Sequence, residues 1–264
     1  MTGTDSTKAL TVAARAARAA GRLMSANLRA AKKINEATQH DIKLELDVRC
    51  QKLIERTLRR SFPEIPILGE EGILGDLEAS VRWVVDPIDG TVNFSYGIPH
   101  ACVSIALQER QGRTFRSVVG VVHDPFTNET WTAIRGQRAR LNGTVIRVSQ
   151  RAKLNEAIVA LGFAKQKFTL ERMLPAFNGL IHRVRKVRIM GAAALSLVYV
   201  ATGRMDAYVE YGLRLWDIAA GGLIIECAGG EFWHRPVAGD YAYEIVASNG
   251  RLRGKLERAG RRGK

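Results

Sequence analysis

Apolar residues along the first third of the chain recur at helical spacing. Leu10, Ala13, Ala17, Ala20, Met24 and Leu28 fall on one face, which predicts an amphipathic helix over residues 8–33. Residues 34–46 are polar and read as a loop or hairpin. Val48, Leu53, Ile54 and Leu58 return to helical spacing over 47–60. Pro63 and Pro66 then interrupt the chain ahead of a short strand ending at Leu68. The rhythm next changes to β-branched and alternating residues, predicting strands at 81–85, 102–109, 115–124 and 129–134. The segment HDPFTNE between the last two supplies Pro and Asn, as a hairpin connection requires. This half reads as an antiparallel sheet covered by two helices.

Past residue 150 strands and helices alternate. Residues 157–162, 183–190 and 205–212 read as strands, and 168–181, 191–203 and 216–230 as helices. Pro175 is expected to bend or shorten the first of these helices, and glycines close the last. The fold class is therefore α+β passing into α/β, a layered arrangement divided softly near residue 150 into halves 1–150 and 151–264, with a basic tail at 251–264.

Composition narrows the function classes. The chain has 264 residues, 46% of them apolar, enough for a substantial core. No apolar run approaches the roughly 20 residues of a membrane span, and no secretory leader pattern is evident. Residues 9–31 faintly resemble a transit peptide, but their one-sided apolar face favours a helix of the folded protein. Cys50, Cys102 and Cys227 lack metal-type spacing and read as buried free thiols, which suits a reducing cytoplasm. The net charge of +14 suggests nucleic acid until it is located: residues 1–35 and 251–264 carry +6 each, which leaves +2 for the body. A terminal charge run is chiefly a solvated tail, and no nucleic-acid module accompanies it, so nucleic acid is a possible partner but not the favoured one.

The candidate chemistry lies in acids at the ends of apolar segments. Asp86 and Asp89 end the strand at Trp83–Val85, Glu70 and Glu71 follow PILG, Asp217 opens a helix, and Asp47 opens another. For Asp47 or Asp217 alone, helix capping is the simplest reading, and for Glu70–Glu71 an exposed loop is. Two buried carboxylates together repel, and either alone is costly without a partner. Arg82 precedes the end at which they project, so a divalent cation is the better remedy. Oxygen ligands select Mg²⁺, Ca²⁺ or Mn²⁺. Gly90 and Thr91, directly after Asp89, suit an anion nest, and metal plus nest suggests phosphate.

These segments carry a family resemblance. DPIDGTVNF (86–94) is similar to the signature of the inositol monophosphatase family, within the lithium-sensitive, Mg²⁺-dependent phosphatases. LWDIAAGGLIIECAGG (215–230) resembles its second signature, LGEEG (68–72) its glutamate motif, and DIKLELD (41–47) the loop and aspartate before them; the likeness spans about residues 8–250. The resemblance implies a layered αβαβα sandwich and a cytoplasmic homodimer. It implies two to three Mg²⁺ ions, with Mn²⁺ as a substitute, held by Glu70, Asp86, the Ile88 carbonyl, Asp89 and Asp217. It implies phosphate on the amides of Gly90 and Thr91, and a water oriented by Asp47 paired with the Thr91 hydroxyl, with Glu70 near a third ion. It further implies substrate contacts from Asp89, Gly191, Ala192, Ala193, Glu210 and Asp217. Ala192 departs from the family pattern, where Ser or Thr is common. The loop 34–41 lacks the family's early lysine, for which Lys32 and Lys33 stand just before it. Arg183, Arg185 and Arg188 could approach a second phosphate but read first as a solvated strand face, and His100 and His123 read as structural. The implied reaction is hydrolysis of inositol 1-phosphate or a related polyol phosphate by in-line attack of a metal-activated water. Fructose-1,6-bisphosphatase, histidinol-phosphatase and nucleotide 3′-phosphatase remain alternatives, as does an RNA- or polymerase-binding regulator retaining the fold.

Overall fold

A computed structural model describes residues 3–30, 34–37, 42–163 and 167–256. Lys32, Lys33, residues 38–41 of the loop and the tail beyond residue 256 lie outside the described residues. In chain order the elements are α1 (Gly3–Asn27), β1 (Ile34–Ala37), β2 (Ile42–Leu44), α2 (Glu45–Arg59), β3 (Ile67–Gly69), β4 (Gly72–Leu74), β5 (Val81–Asp89), α3 (Thr91–Ser95), β6 (Cys102–Gln111), β7 (Thr114–Asp124), β8 (Glu129–Ile134), β9 (Arg140–Leu141) and β10 (Thr144–Val145). They continue with β11 (Ile158–Leu161), α4 (Lys167–Ile181), β12 (Lys186–Arg188), α5 (Ala193–Ala201), β13 (Ala207–Arg214), α6 (Leu215–Cys227), β14 (Glu231–Pro236) and β15 (Ala242–Ser248).

An eight-stranded sheet runs β10-β9-β8-β7-β6-β5-β3-β4 and a five-stranded sheet β12-β11-β13-β15-β14, while β1 and β2 form a separate hairpin. Side-chain parity along β5 shows how the layers are built. Trp83 and Val85 pack with Ala13, Ala17, Cys50 and Ile54 of α1 and α2 on one face, and Val84 packs with Leu195, Leu197 and Ile224 of α5 and α6 on the other. The α5–α6 layer also touches Ala160, Tyr208 and Ala247 of the second sheet. The outer face of that sheet is covered by Met173 and Leu180 of α4 with Leu252 and Leu256. The order is helices, sheet, helices, sheet, helix: the αβαβα sandwich expected.

Several boundaries differ from the sequence expectation in ways that matter for the site. β5 continues through Asp89, with Asp86 opposite Ser104, Asp89 opposite Cys102, and an irregularity between them. Pro87 has no N–H for the ladder, so the strand kinks there rather than ending. Asp47 and Asp217 lie inside the first turns of α2 and α6 rather than ahead of them. α4 runs uninterrupted past Pro175 to Ile181, so packing overrides the proline's local penalty. β12 is only three residues long, because Arg183 and Val184 still bond back to the Leu180 carbonyl. Arg183, Arg185 and Arg188 are all exposed. The closing β14–β15 hairpin had no counterpart in the sequence reading. Cys50 and Cys102 are buried free thiols, and Cys227, also free, is half-buried.

Candidate metal and phosphate site

Acids from separate elements meet where β5 ends. Carboxylate oxygens of Asp86, Asp89 and Asp217 lie within 4.8 Å of one another. Glu70, at the turn after β3, hydrogen-bonds the Asp86 carboxyl. Glu210, on β13 of the second sheet, is near enough to act electrostatically on Asp217 and to be acted on by Asp89. Asp47 acts in the same way on Glu70.

Each of the four aspartates is fixed by a backbone donor. The Asp86 carboxylate accepts from its own turn, Ile88 N–H at 3.0 Å. Asp89 accepts from the N–H groups of Ala193 (2.9 Å) and Ala194 (2.8 Å), the first turn of α5. The residue ahead of that turn, Ala192, has no side-chain oxygen, so Asp89 reaches across from β5 to cap α5. Asp217 Oδ2 accepts from Arg214 N–H at 2.7 Å and Asp47 Oδ2 from Leu44 N–H at 2.6 Å. Both are helix caps, and both also act electrostatically within the acidic group, Asp217 on Glu70 and Asp86, and Asp47 on Glu70.

The electrostatics are one-sided. Burial pushes the Asp217 carboxyl up to about 8, with Asp89 next in effect. Asp89 rises to about 6, chiefly through burial and against the pull of the α5 amides. Glu70 and Asp86 are raised well above the usual carboxylate range by burial and then by neighbouring acids. Among the described residues, the charges that act most strongly on Glu70, Asp86 and Asp217 are all negative. Four acids folded together without a base need either protons or a cation. The gathered groups are carboxylate oxygens; the Cys102 thiol lies 3.5 Å from Asp89 Oδ2, and burial keeps that thiol protonated. The donor set fits Mg²⁺.

The predicted phosphate-holding turn adjoins the acids. Gly90 has φ +88°, and a Cβ there would sit 2.9 Å from the His100 carbonyl oxygen, so only glycine fits. The Thr91 hydroxyl donates to the Ile88 carbonyl at 2.8 Å; the expected pairing of this hydroxyl with Asp47 is not the bond seen here. Gly191 is exposed with φ +72°, and Ala192 and Ala193 are buried at the α5 entrance.

Sequence reasoning missed three supports. Asn93 Nδ2 donates to the carbonyls of His100 (3.0 Å) and Met190 (2.9 Å), joining the phosphate turn to the α5 entrance. Gln51 Oε1 accepts from Glu71 N–H at 2.9 Å and its Nε2 donates to the Gly72 carbonyl at 3.3 Å, clamping the Glu70 turn. The Tyr208 hydroxyl donates to Glu210 Oε2, and Glu210 occupies space that a Cβ on Gly162 would fill, only 1.6 Å away. Asn93 lies within a quoted signature; the other two carried no local signal. His123 and His100 serve structure, His123 Nδ1 pairing with Thr130 Oγ1 at 3.0 Å and His100 lying edge-on to Tyr199.

Comparison with known proteins agrees with this architecture. The model for the inositol monophosphatase family matches residues 5–255. The Nus factor SuhB of Haemophilus influenzae is 40% identical over 226 residues, covering 84% of this chain and 83% of that protein. The Nus factor SuhB of Pseudomonas aeruginosa is 42% identical over 229 residues, with the same coverage. Among solved structures, the extragenic suppressor protein suhB of Bartonella henselae superimposes with a TM-score of 0.88 at 34% identity, covering 97% of this chain and 100% of that one. The inositol monophosphatase of Anabaena (Nostoc) gives 0.82 at 33% identity, covering 95% and 94%. By its sequence and its fold alike, the chain belongs to the inositol monophosphatase family.

Proposed function

We propose that the protein is a Mg²⁺-dependent phosphomonoesterase acting on inositol 1-phosphate or a related polyol phosphate. The observation that carries this reading is the gathering of Glu70, Asp86, Asp89 and Asp217 with no basic partner among the described residues. Those four, with the Ile88 carbonyl, are assigned to hold two to three ions, Mn²⁺ being a substitute. Bound Mg²⁺ supplies the positive charge that offsets the phosphoryl oxygens and makes water more acidic.

The chain's own groups do the rest. The amides of Gly90 and Thr91 receive phosphate oxygens at a turn that no Cβ blocks. Thr91 spends its proton on Ile88, so its oxygen is left to accept from a water. With Asp47 and Glu70 close by, Thr91 orients that water for in-line attack. The Cys102 thiol is held protonated by burial and makes no nucleophile, in keeping with direct hydrolysis. Glu210, with Asp89 and Asp217, accepts from substrate hydroxyls beside Gly191, Ala192 and Ala193. A homodimer in the cytoplasm completes the assignment.

A panel of inositol 1-phosphate, fructose 1,6-bisphosphate, histidinol phosphate and a nucleoside 3′,5′-bisphosphate, each with Mg²⁺, tests the substrate. Inositol 1-phosphate is expected to be hydrolysed with the highest kcat/KM; a far faster nucleotide would overturn the assignment. A second reading, an RNA- or polymerase-binding regulator on the same fold, draws support from relatives named Nus factor and from the basic termini. Filter binding of RNA across a salt series tests it, since phosphate-driven affinity is greatest at low salt.

A further inference from the structure

The interlayer beneath α6 holds a buried arginine that no carboxylate answers. Arg82 is 8% exposed, on the β5 face that otherwise packs apolar side chains. Its Nε donates to Gln108 Oε1 at 3.0 Å, and Gln108 Nε2 donates to Ser117 Oγ at 3.3 Å. The three residues are cross-strand neighbours on β5, β6 and β7, so they form a buried polar row across the sheet. Phe115 is flanked by two guanidinium groups, Arg82 at 3.8 Å and Arg110 at 4.7 Å from its ring centre. Arg110 is engaged by Glu78 at 3.2 Å. Among the described residues no carboxylate pairs with Arg82 and no partner takes its Nη groups.

The row forms the floor of a cavity of about 460 Å³, within the range of small-ligand sites. Arg113 and Arg116 stand exposed at its edge. The sole acid in its lining, Glu226, is already paired with Arg135 at 2.8 Å. The opposite wall is aromatic: Phe232, His234, Tyr241 and Tyr243 line it, with the His234 ring edge-on to Tyr243 at 5.5 Å. Desolvating a guanidinium without a counter-charge is costly, and a basic floor under an aromatic wall matches an anionic group on a flat body. The cavity lies at the start of β5, whereas the acid cluster lies at its end.

We propose that this cavity is a second binding site, for a small organic phosphate with a flat aromatic body, its phosphate on Arg82 and the edge arginines and its ring against Tyr241 and Tyr243. Such a site is independent of the catalytic reading, and its test avoids metal. Guanosine 5′-monophosphate is titrated into the full chain in excess chelator by calorimetry, with inorganic phosphate and guanosine as separate arms. The expected result is one saturable equivalent of the nucleotide, bound more tightly than either fragment. Arg82→Met is expected to weaken it by about tenfold or more, the loss of a bidentate charge-assisted contact, while Arg82→Lys keeps part of the affinity. Ala219→Leu, which fills the cavity from α6 and leaves Arg82 in place, is expected to abolish binding and is decisive should Arg82→Met fail to fold. No saturable binding at millimolar concentration, inorganic phosphate binding as tightly as the nucleotide, or full affinity in Ala219→Leu would each overturn the proposal.

Discussion

Asp217→Asn separates the two roles of the acid cluster. Asparagine keeps a carbonyl oxygen for Arg214 N–H, the 2.7 Å cap of α6, and removes only the charge. In the metal-free protein the Asp217 carboxyl titrates near 8, raised from 3.8. Below about pH 4 the proton is bound in both folded and unfolded chains, and the contribution to stability is whole. As pH rises from about 4 to 8 the unfolded chain gives up the proton and the folded chain does not, so stability falls. Each pH unit that separates the folded from the unfolded titration corresponds to ~1.4 kcal/mol. Part of the rise at Asp217 is repulsion from Asp89 and Glu210, which titrate at about 6 and about 7 and are charged by pH 8; the amide that replaces the carboxyl carries a desolvation cost of its own, which offsets part of the gain. Neutralising Asp217 is therefore expected to return only about 2 kcal/mol at pH 8, with almost no effect at pH 4. For a chain of this size that raises Tm by roughly 4–8 °C. Thermal and urea unfolding in excess chelator at both pH values measures it, and repeating them with Mg²⁺ reverses the order, because wild type gains from the ion and the variant loses a ligand. A variant less stable than wild type in chelator at pH 8, yet equally stabilised by Mg²⁺, would refute the claim that these acids await a cation.

Three other outcomes are expected. Tyr208→Phe removes the donor to Glu210 and should raise KM for a polyol phosphate by about five- to thirtyfold, equivalent to ~1–2 kcal/mol, leaving turnover of a flat phenyl phosphate unchanged; equal losses on both substrates would remove Glu210 from substrate binding. Gln51→Ala frees the turn that carries Glu70 and should raise the Mg²⁺ concentration for half-maximal activity by about tenfold or more, as outer-sphere changes do, and an unchanged Mg²⁺ curve would count against the clamp. Lithium at tens of millimolar, an order-of-magnitude expectation from the family resemblance, should inhibit hydrolysis at saturating Mg²⁺, and full activity there would contradict the assigned ion set.

The sequence made the strands and the acids visible because both leave local marks. Trp83–Val85 is a continuous apolar run, the β6–β8 stretch is rich in β-branched and alternating residues, and the two acids of DPIDG stand out directly after an apolar strand. The α1 and α2 stripes were legible from helical spacing: the α1 residues pack in one cluster, joined by Ile54 and Leu58 of α2, while Val48 and Leu53 stay half-buried outside it. What escaped was set by contacts distant in sequence. β14 and β15 have mixed burial patterns and many polar residues, so periodicity is weak, and their pairing is fixed only once β13 is in place. Pro175 was expected to bend or shorten its helix, and α4 is not shortened by it. Tyr208 and Gly162 were invisible as a pair: one is a buried aromatic on a strand, the other a glycine after a strand, and only the fold shows that both shape the surroundings of Glu210.

The same contrast explains why capping and chemistry coincide in this site. A helix start offers amide N–H groups that need an acceptor, and an acidic cluster needs donors that hold each carboxylate in place. Asp47 and Asp217 satisfy the starts of their own helices, and Asp89 satisfies the start of a helix more than 100 residues away in sequence. Each bond fixes a carboxylate whose charge the fold otherwise resists, as the raised titrations of Asp89 and Asp217 show. If capping alone explained these acids, Asn or Ser in their place would stabilise the helices without bringing like charges within 4.8 Å of one another. The repulsion that remains after every cap is satisfied is the part of the structure that helix formation does not account for, and it is what the proposed divalent cation would offset.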